Sequence, residues 1–589
     1  MVFDYLLPEF PNKLSTSKQT YSNKLSKSVH RSFSLTGNPS YAAIVCLVTL
    51  LQTITFQAKS QTPYLSPLTP TPRANFTPTP PEQKGFWNID VVGDFSLPAG
   101  KTVTFSGAGR NLHVNQDREK LFRRGFTAIE ASRMTSDEKI TGPENPKPLG
   151  WTSPLKQSQR SLIVYQNYLY YPPNNPFNLL WARRDSYAPY TYFRRPSGDP
   201  YILNSVGAAM DQLAYECSPF GDCTNPPLNT FGHIFLDIEN DYTYFENRQQ
   251  NVNLYAYMMY TLRKACSPAT EIGSIGPVPH NNFGFTRYGD YDASVDWGWS
   301  MRAQHTDAAP DLGVLSSRER GMPDAIVGKS FSDYADFQMP GVYYTSMAFD
   351  YSYPHSGEMD THWLASVLGE QEINGALSPK KRIAWQWMFN TQSPDYPNSP
   401  NADYPVPPVM AEGHAIFYWL TGANGVLFWD DEVNLTPNRN SLPPGDPNKG
   451  LGSDRNYACY EHYIHGTWRL FNHHKDMFNG RERYLNQETE CSFDKGLTWH
   501  KYNAGDLKRK SLPFARAVVS DNQILIAATA PYVASDKKTS LMVRYMDGTY
   551  QFTTEINLTG DEIYLGRATM STPPKVKSVS LLLCQDCVK

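Results

Sequence analysis

Asp237 and Glu239 are the residues whose type and spacing point most directly to chemistry. They fall within residues 231–242, where His233 to Ile238 is short, apolar and mostly β-forming, with Asn229 and Gly232 as turn signals before it. Such a run predicts a buried strand. Residues two apart on a strand share a face, so the two carboxylates stand side by side with roughly 6–7 Å between Cα atoms. Like charges that close raise the pKa of one group, which lets one carboxyl keep its proton as a general acid while the other stays ionised. Acidic residues after a strand also serve as turn formers or helix caps, so the elements around the pair have to decide.

Those elements repeat. Strand-like runs lie at 101–105, 161–165, 271–275, 342–349, 383–388 and 426–429, and helix-like segments at 248–265, 359–368 and 410–420. Strand, loop, helix and strand in alternation predict an α/β chain whose residues 85–478 form a (β/α)8 TIM barrel, the kind of scaffold that keeps its chemistry at the carboxyl ends of the strands. After about residue 478 the texture changes to short strands at 515–520, 523–528, 539–545, 550–556 and 562–565, with Gly548 and Gly560 in turns. That pattern predicts a C-terminal all-β sandwich over 479–589.

Composition narrows the partners. A chain of 589 residues can hold more than one domain. Its net charge of −3 leaves no basic footprint for nucleic acid. Charged residues are only 19%, aromatics 13%, with 37 Tyr and 12 Trp, a balance that suits both a large aromatic core and a surface that stacks on sugar rings. Residues 1–40 are polar and basic in balance, 41–56 are apolar, and Ala58 and Ser60 supply small residues after them. This reads as a signal peptide over 1–60 with a long leader, too short and too interrupted at Gln52 for a stable membrane span, and it predicts a secreted, periplasmic or cell-surface protein. Residues 61–84, rich in Pro and Thr, read as an extended linker without a core. Of eight Cys, Cys217 with Cys223 and Cys584 with Cys587 look like small disulfide loops; Cys459 could pair with Cys491, which would leave Cys266 free, and spacing alone does not fix the connectivity.

Three stretches in order resemble one family. Leu236-Asp-Ile-Glu239 is similar to the end of the Asp-x-x-Asp-x-Asp-x-Glu signature of family 18 glycoside hydrolases, the chitinase group. Met347-Ala-Phe-Asp350-Tyr351 resembles that family's Met-x-Tyr-Asp strand, and Gly425-Val-Leu-Phe-Trp429 its last strand, which ends in a Trp under the reactive sugar. Gly232 and Phe235 stand where the signature has its first two Asp, and Phe349 stands where the second motif has Tyr, with Tyr351 next but one. The resemblance implies a glycosidase whose substrate is a polysaccharide or oligosaccharide and which needs no cofactor. Glu239 would protonate the glycosidic oxygen, the substrate's 2-acetamido carbonyl would attack the anomeric carbon, and Asp237, supported by Asp350, would stabilise the oxazolinium.

Other residues could serve the same mouth. Asp430, with Asp431 and Glu432 behind it, is a candidate nucleophile for a retaining double displacement. Trp385 and Trp387 share one strand face and Gln386 takes the other, so either a Trp platform or a Gln donor lines the cleft. Tyr165 ends an earlier strand at the same level. The substituted signature positions also fit a glycan-binding barrel without catalysis. His462, His465, His473 and His474 match no zinc-helix spacing and read as structural, so no metal site is expected.

Overall fold

The computed structural model describes residues 64–83, 87–106, 115–134, 156–165, 231–237, 268–275, 277–280, 328–345, 357–391, 406–429, 456–486, 489–500, 514–531, 537–548 and 550–571, with 259, 260, 263, 266 and 533. All of these belong to one compact unit, Thr62–Lys589.

Its first described elements are two short strands, β1 (Tyr64–Leu65) and β2 (Thr69–Pro70), both paired antiparallel to the last described strand, Ile563–Ser571. The barrel follows: β3 (Thr102–Ser106), α1 (Asn115–Arg123), β4 (Ala128–Met134), β5 (Arg160–Tyr165), β6 (His233–Asp237), β7 (Glu271–Ser274), the single turn α2 (Phe331–Tyr334), β8 (Phe337–Gln338), β9 (Gly341–Thr345), α3 (Gly357–Leu377), β10 (Lys381–Thr391), α4 (Pro408–Phe417), β11 (Gly425–Trp429) and α5 (Ala458–His474). The sheet runs β7-β6-β5-β4-β3-β11-β10-β8, with β9 also on β10, and every pairing in it is parallel. β8 and β9 share one place, because Pro340 interrupts them. A parallel bridge from Ile275 to Met339 joins that place to β7. Eight parallel places are therefore joined around a nearly closed barrel sheet, the strand arrangement of a TIM barrel.

The barrel strands are buried on both faces, so they read as nearly continuous apolar runs rather than alternating ones. Ile163, Phe235, Ile275, Phe337, Met339, Ile383, Trp385 and Leu427 fill the interior as one cluster. Gly273 leaves the space that the Phe337 ring occupies, since a Cβ there would lie 2.3 Å from it. The alternate set, including Val103, Phe105, Ile129, Ala384, Met388, Val426 and Phe428, packs outward against α4 and α5. Pro408 opens α4 at a position where a missing N–H costs nothing.

The C-terminal part is two antiparallel sheets. One carries β1 and β2 with β12 (Arg483–Tyr484), β14 (Phe514–Ser520), β15 (Gln523–Thr529) and β18 (Ile563–Ser571); the other is β13 (Thr489–Ser492), β16 (Lys538–Asp547) and β17 (Tyr550–Thr559). Ala517, Val519, Ile524 and Ile526 of the first sheet meet Leu541, Val543, Tyr545 and Phe552 of the second in a sandwich core. The opposite face of the first sheet, with Phe514, Val518, Leu525 and Leu565, joins the barrel-helix core instead. Two charged clamps cross this junction. Arg516 of β14 donates Nε to Glu372 Oε1 of α3 at 2.5 Å and Nη2 to Oε2 at 3.2 Å, its guanidinium lying 4.4 Å from the Phe514 ring. Arg469 of α5 donates to Glu412 of α4 and, at 2.8 Å, to the Ile563 carbonyl of β18. Burial alone would push the Glu412 carboxyl up, but the His465 hydrogen bond and the charges of Arg469 and Arg73 outweigh it and hold Glu412 at about 2.

Two sequence expectations fail here. Residues 64–83 are extended but are not a free linker: they form a strap laid on the first sheet and on α5, with Thr71 and Thr79 buried. Cys459 and Cys491 do not pair, because Cys459 packs in the barrel-helix core and Cys491, a free thiol, in the sandwich core. Cys266 is a free, buried thiol whose pKa burial pushes up to about 12. Residues 217, 223, 584 and 587 lie outside the described residues.

Candidate active site

The carboxyl mouth of the barrel is set by where each strand stops. β5 and β6 end in register, Tyr165 beside Asp237. β11 ends at Trp429, which is in register with Trp387 of β10 on one side and Ser106 of β3 on the other. Trp387 is in turn in register with Tyr343 of β9. Counting through β7, the shared β8/β9 place and β10, β11 is the fourth place after β6. Four places around an eight-strand barrel is the opposite wall. The Tyr165–Asp237 rim therefore faces the Trp387–Trp429 rim across the mouth, at the end where barrels of this kind hold their chemistry.

Strand alternation fixes which positions look inward. Phe235 and Trp385 belong to the interior cluster; Trp387, two residues beyond Trp385, packs against the barrel-helix core, and Asp237 is placed by its backbone register with Tyr165. Trp387 is half-buried at this rim. Of the two options for β10, it is Trp385 that enters the barrel. Gln386 does not line the cleft: it is buried on the helix side, its Nε2 against Met388 Sδ at 3.3 Å and against Nδ1 of His414 on α4. Burial pushes His414 down to about 3, which keeps its ring neutral.

The structure also explains the substituted signature positions. Phe235 is fully buried, and its ring meets Phe337 at 5.4 Å as part of the barrel filling. Gly232 has no room for a side chain, since a Cβ would lie 2.9 Å from the backbone of Gln157 and Ser158. Apolar filling and a tight strand entry stand where the family 18 signature has carboxylates.

At the opposite end of β6, His233 Nε2 lies 3.4 Å from Glu271, which also pairs with Lys381. The His233 hydrogen bond, then that of Lys381, hold Glu271 at about 2 against the effect of burial. This pair closes the amino end of the barrel, remote from the mouth.

Glu239, Met347, Phe349, Asp350, Tyr351 and Asp430 lie outside the described residues. Trp429, Asp237 and Tyr165 are placed by backbone register. Ser106, buried and last in β3, is the mouth residue the sequence reading missed, because the predicted strand stopped one residue early at Phe105. Among the described residues no group of three or more His, Cys, Asp or Glu is placed to hold a metal ion. His465 and His474 instead hold the strap, through the Ala74 amide and the Thr71 hydroxyl. No described helix is long and apolar enough to cross a membrane.

No protein-family model matches the chain, and no curated protein matches it. Among solved structures, an endo-β-1,4-mannanase from Thermotoga petrophila is similar over 78% of this chain and 91% of its own, at 11% identity and a TM-score of 0.32. A glycoside hydrolase family 30 subfamily 8 xylanase from Clostridium acetobutylicum is similar over 81% and 97%, at 9% identity and a TM-score of 0.29. A glycoside hydrolase family 5 protein from Bacteroides vulgatus is similar over 62% and 86%, at 10% identity and a TM-score of 0.25. Scores this low add nothing to what the strand pairing shows, which is a parallel barrel sheet with the strand ends at Tyr165 and Asp237 opposite those at Trp387 and Trp429.

Proposed function

We propose that the chain is a glycoside hydrolase acting on a polysaccharide or oligosaccharide with 2-acetamido sugars. The observation that carries this reading is the facing of the Asp237 rim and the Trp387–Trp429 rim across the carboxyl mouth. An aromatic wall suits the apolar face of a pyranose, and carboxylates opposite suit its acetal.

In this reading Glu239 gives its proton to the glycosidic oxygen as the bond to the anomeric carbon breaks. The acetamido carbonyl oxygen of the same sugar bonds to that carbon, forming an oxazolinium. Asp237 accepts a hydrogen bond from the amide N–H and stabilises the cation, with Asp350 supporting the pair. Glu239, now a carboxylate, takes a proton from water as the water opens the ring, which restores the acid. Trp429, Phe349, Tyr351 and Met347 would line the sugar site.

Asp237→Asn tests the assignment. It should lower kcat while leaving substrate binding near its original strength, because it weakens stabilisation of a charge that forms only during reaction. A thiazoline mimic of the oxazoline should inhibit, and plain glucosides should be inert. A fluorosugar adduct on Asp430, found by mass spectrometry, would replace this reading with a double displacement. Glycan binding without turnover on any substrate would replace it with a binding protein.

Export is proposed on the sequence of residues 41–60 alone. The secreted form should begin near Gln61 by N-terminal sequencing, and an intact membrane-bound start would refute this.

A further inference from the structure

The strap is tied to α5 by an unusual set of anchors. Thr71 Oγ1 lies 2.7 Å from His474 Nε2, the Ala74 amide donates to His465 Nε2 at 3.1 Å, and the Thr79 amide donates to Glu461 at 2.8 Å. Asn456 Nδ2 donates to the Pro80 carbonyl at 2.7 Å. Strap numbers rise as helix numbers fall, so the two run antiparallel. An extended strap covers about 25 Å from 71 to 79, and the helix covers about 20 Å from 461 to 474, so all the anchors can be met together.

Two anchors are imidazole nitrogens. His465 uses its Nε2 lone pair to accept the Ala74 amide. Nδ1 of His465 then carries the ring proton and faces Glu412 Oε2 at 3.5 Å, and Glu412 also takes Arg73 of the strap at 2.9 Å. His474 is buried, and its Nδ1 has no partner among the described residues. The charged and titratable groups facing His474 are Arg567 of β18, Arg469 and His473 of α5, and Asp476 just beyond α5. A second ring proton there would be buried without an acceptor and would add a cation beside two arginines. His462, whose ring meets Phe76 of the strap at 5.2 Å, faces Glu412, His465 and Arg73. Strap residues 73–78, half-buried His462 and buried His465 line an open cavity of about 580 Å³.

We propose that strap residues 71–79 are an acid-sensitive latch, docked on α5 while His462 and His474 are neutral and released when they take up protons. Burial, first of all, holds His474 down to about 3 and His462 down to about 4. Docking therefore has its full strength above the ordinary histidine pKa of about 6.5 and weakens as pH falls below it, by about tenfold per unit for each such histidine until its docked pKa is reached. Glu412, held at about 2, keeps its charge through this window. Release would uncover the α4–α5 face and loosen the strap's hold on β18.

Amide hydrogen exchange on the mature chain tests this, read at Ala74 and Thr79 against the Trp385 amide, which donates within the barrel to Pro340 at 3.0 Å. Between about pH 7.5 and about pH 5, the protection factors of the two strap amides should fall by about 30-fold or more, with the barrel amide changing far less. His474→Gln, which keeps a hydrogen-bonding group but does not titrate, should reduce that fall. Strap and barrel amides losing protection together would overturn the proposal. So would strap protection that does not change with pH, or an undiminished fall in a folded His474→Gln chain.

Discussion

Glu239→Gln should lower kcat on acetamido glycosides with poor leaving groups by about 10²- to 10⁴-fold, the usual worth of general acid catalysis. Gln keeps the shape and hydrogen bonding of Glu but cannot give up a proton, so KM should change little. The effect should shrink on substrates whose leaving group departs as a stable anion, because protonation matters less there. Steady-state rates on one sugar with two leaving groups would measure both parts. An unchanged rate in a folded variant would remove Glu239 from the mechanism.

Arg516→Met should destabilise the chain by about 3–5 kcal/mol, because it strands a buried carboxylate. Glu372 and Arg516 are 4% and 1% exposed at the side chain, and they join α3 of the barrel to β14 of the sandwich. The second part of the expectation separates charge from packing. Changing Glu372→Leu together with Arg516→Met removes both charges, so the double variant should be more stable than Arg516→Met alone. Denaturant unfolding of the two singles and the double would show this. A double variant that lost the sum of both singles would mean that packing, not the stranded charge, sets the cost.

The barrel was legible where strands are apolar and of ordinary length. Expected strands at 161–165, 271–275 and 426–429 appear as Arg160–Tyr165, Glu271–Ser274 and Gly425–Trp429. β4 escaped because Glu130 and Arg133 interrupt its pattern, and β8 because Pro340 cuts the shared place into short pieces. Gln386 was misjudged as a possible cleft residue because alternation says that two sets of side chains diverge, but not which set looks inward. The Trp385 ring in the interior cluster settles that. Thr-Pro repeats at 61–84 signal an extended chain truthfully. They do not show that histidines and carboxylates some 380 residues later hold that chain in place. Cys459 and Cys491 likewise could not be assigned from spacing, since pairing depends on which core each thiol enters.

Incubating the mature chain with a panel of acetamido and plain glycans, with Glu239→Gln as the control, tests the central claim most directly. The account predicts reducing ends released from acetamido glycans only, and lost in the variant. Cleavage of plain glycans, or no cleavage of either class by a folded protein, would contradict it.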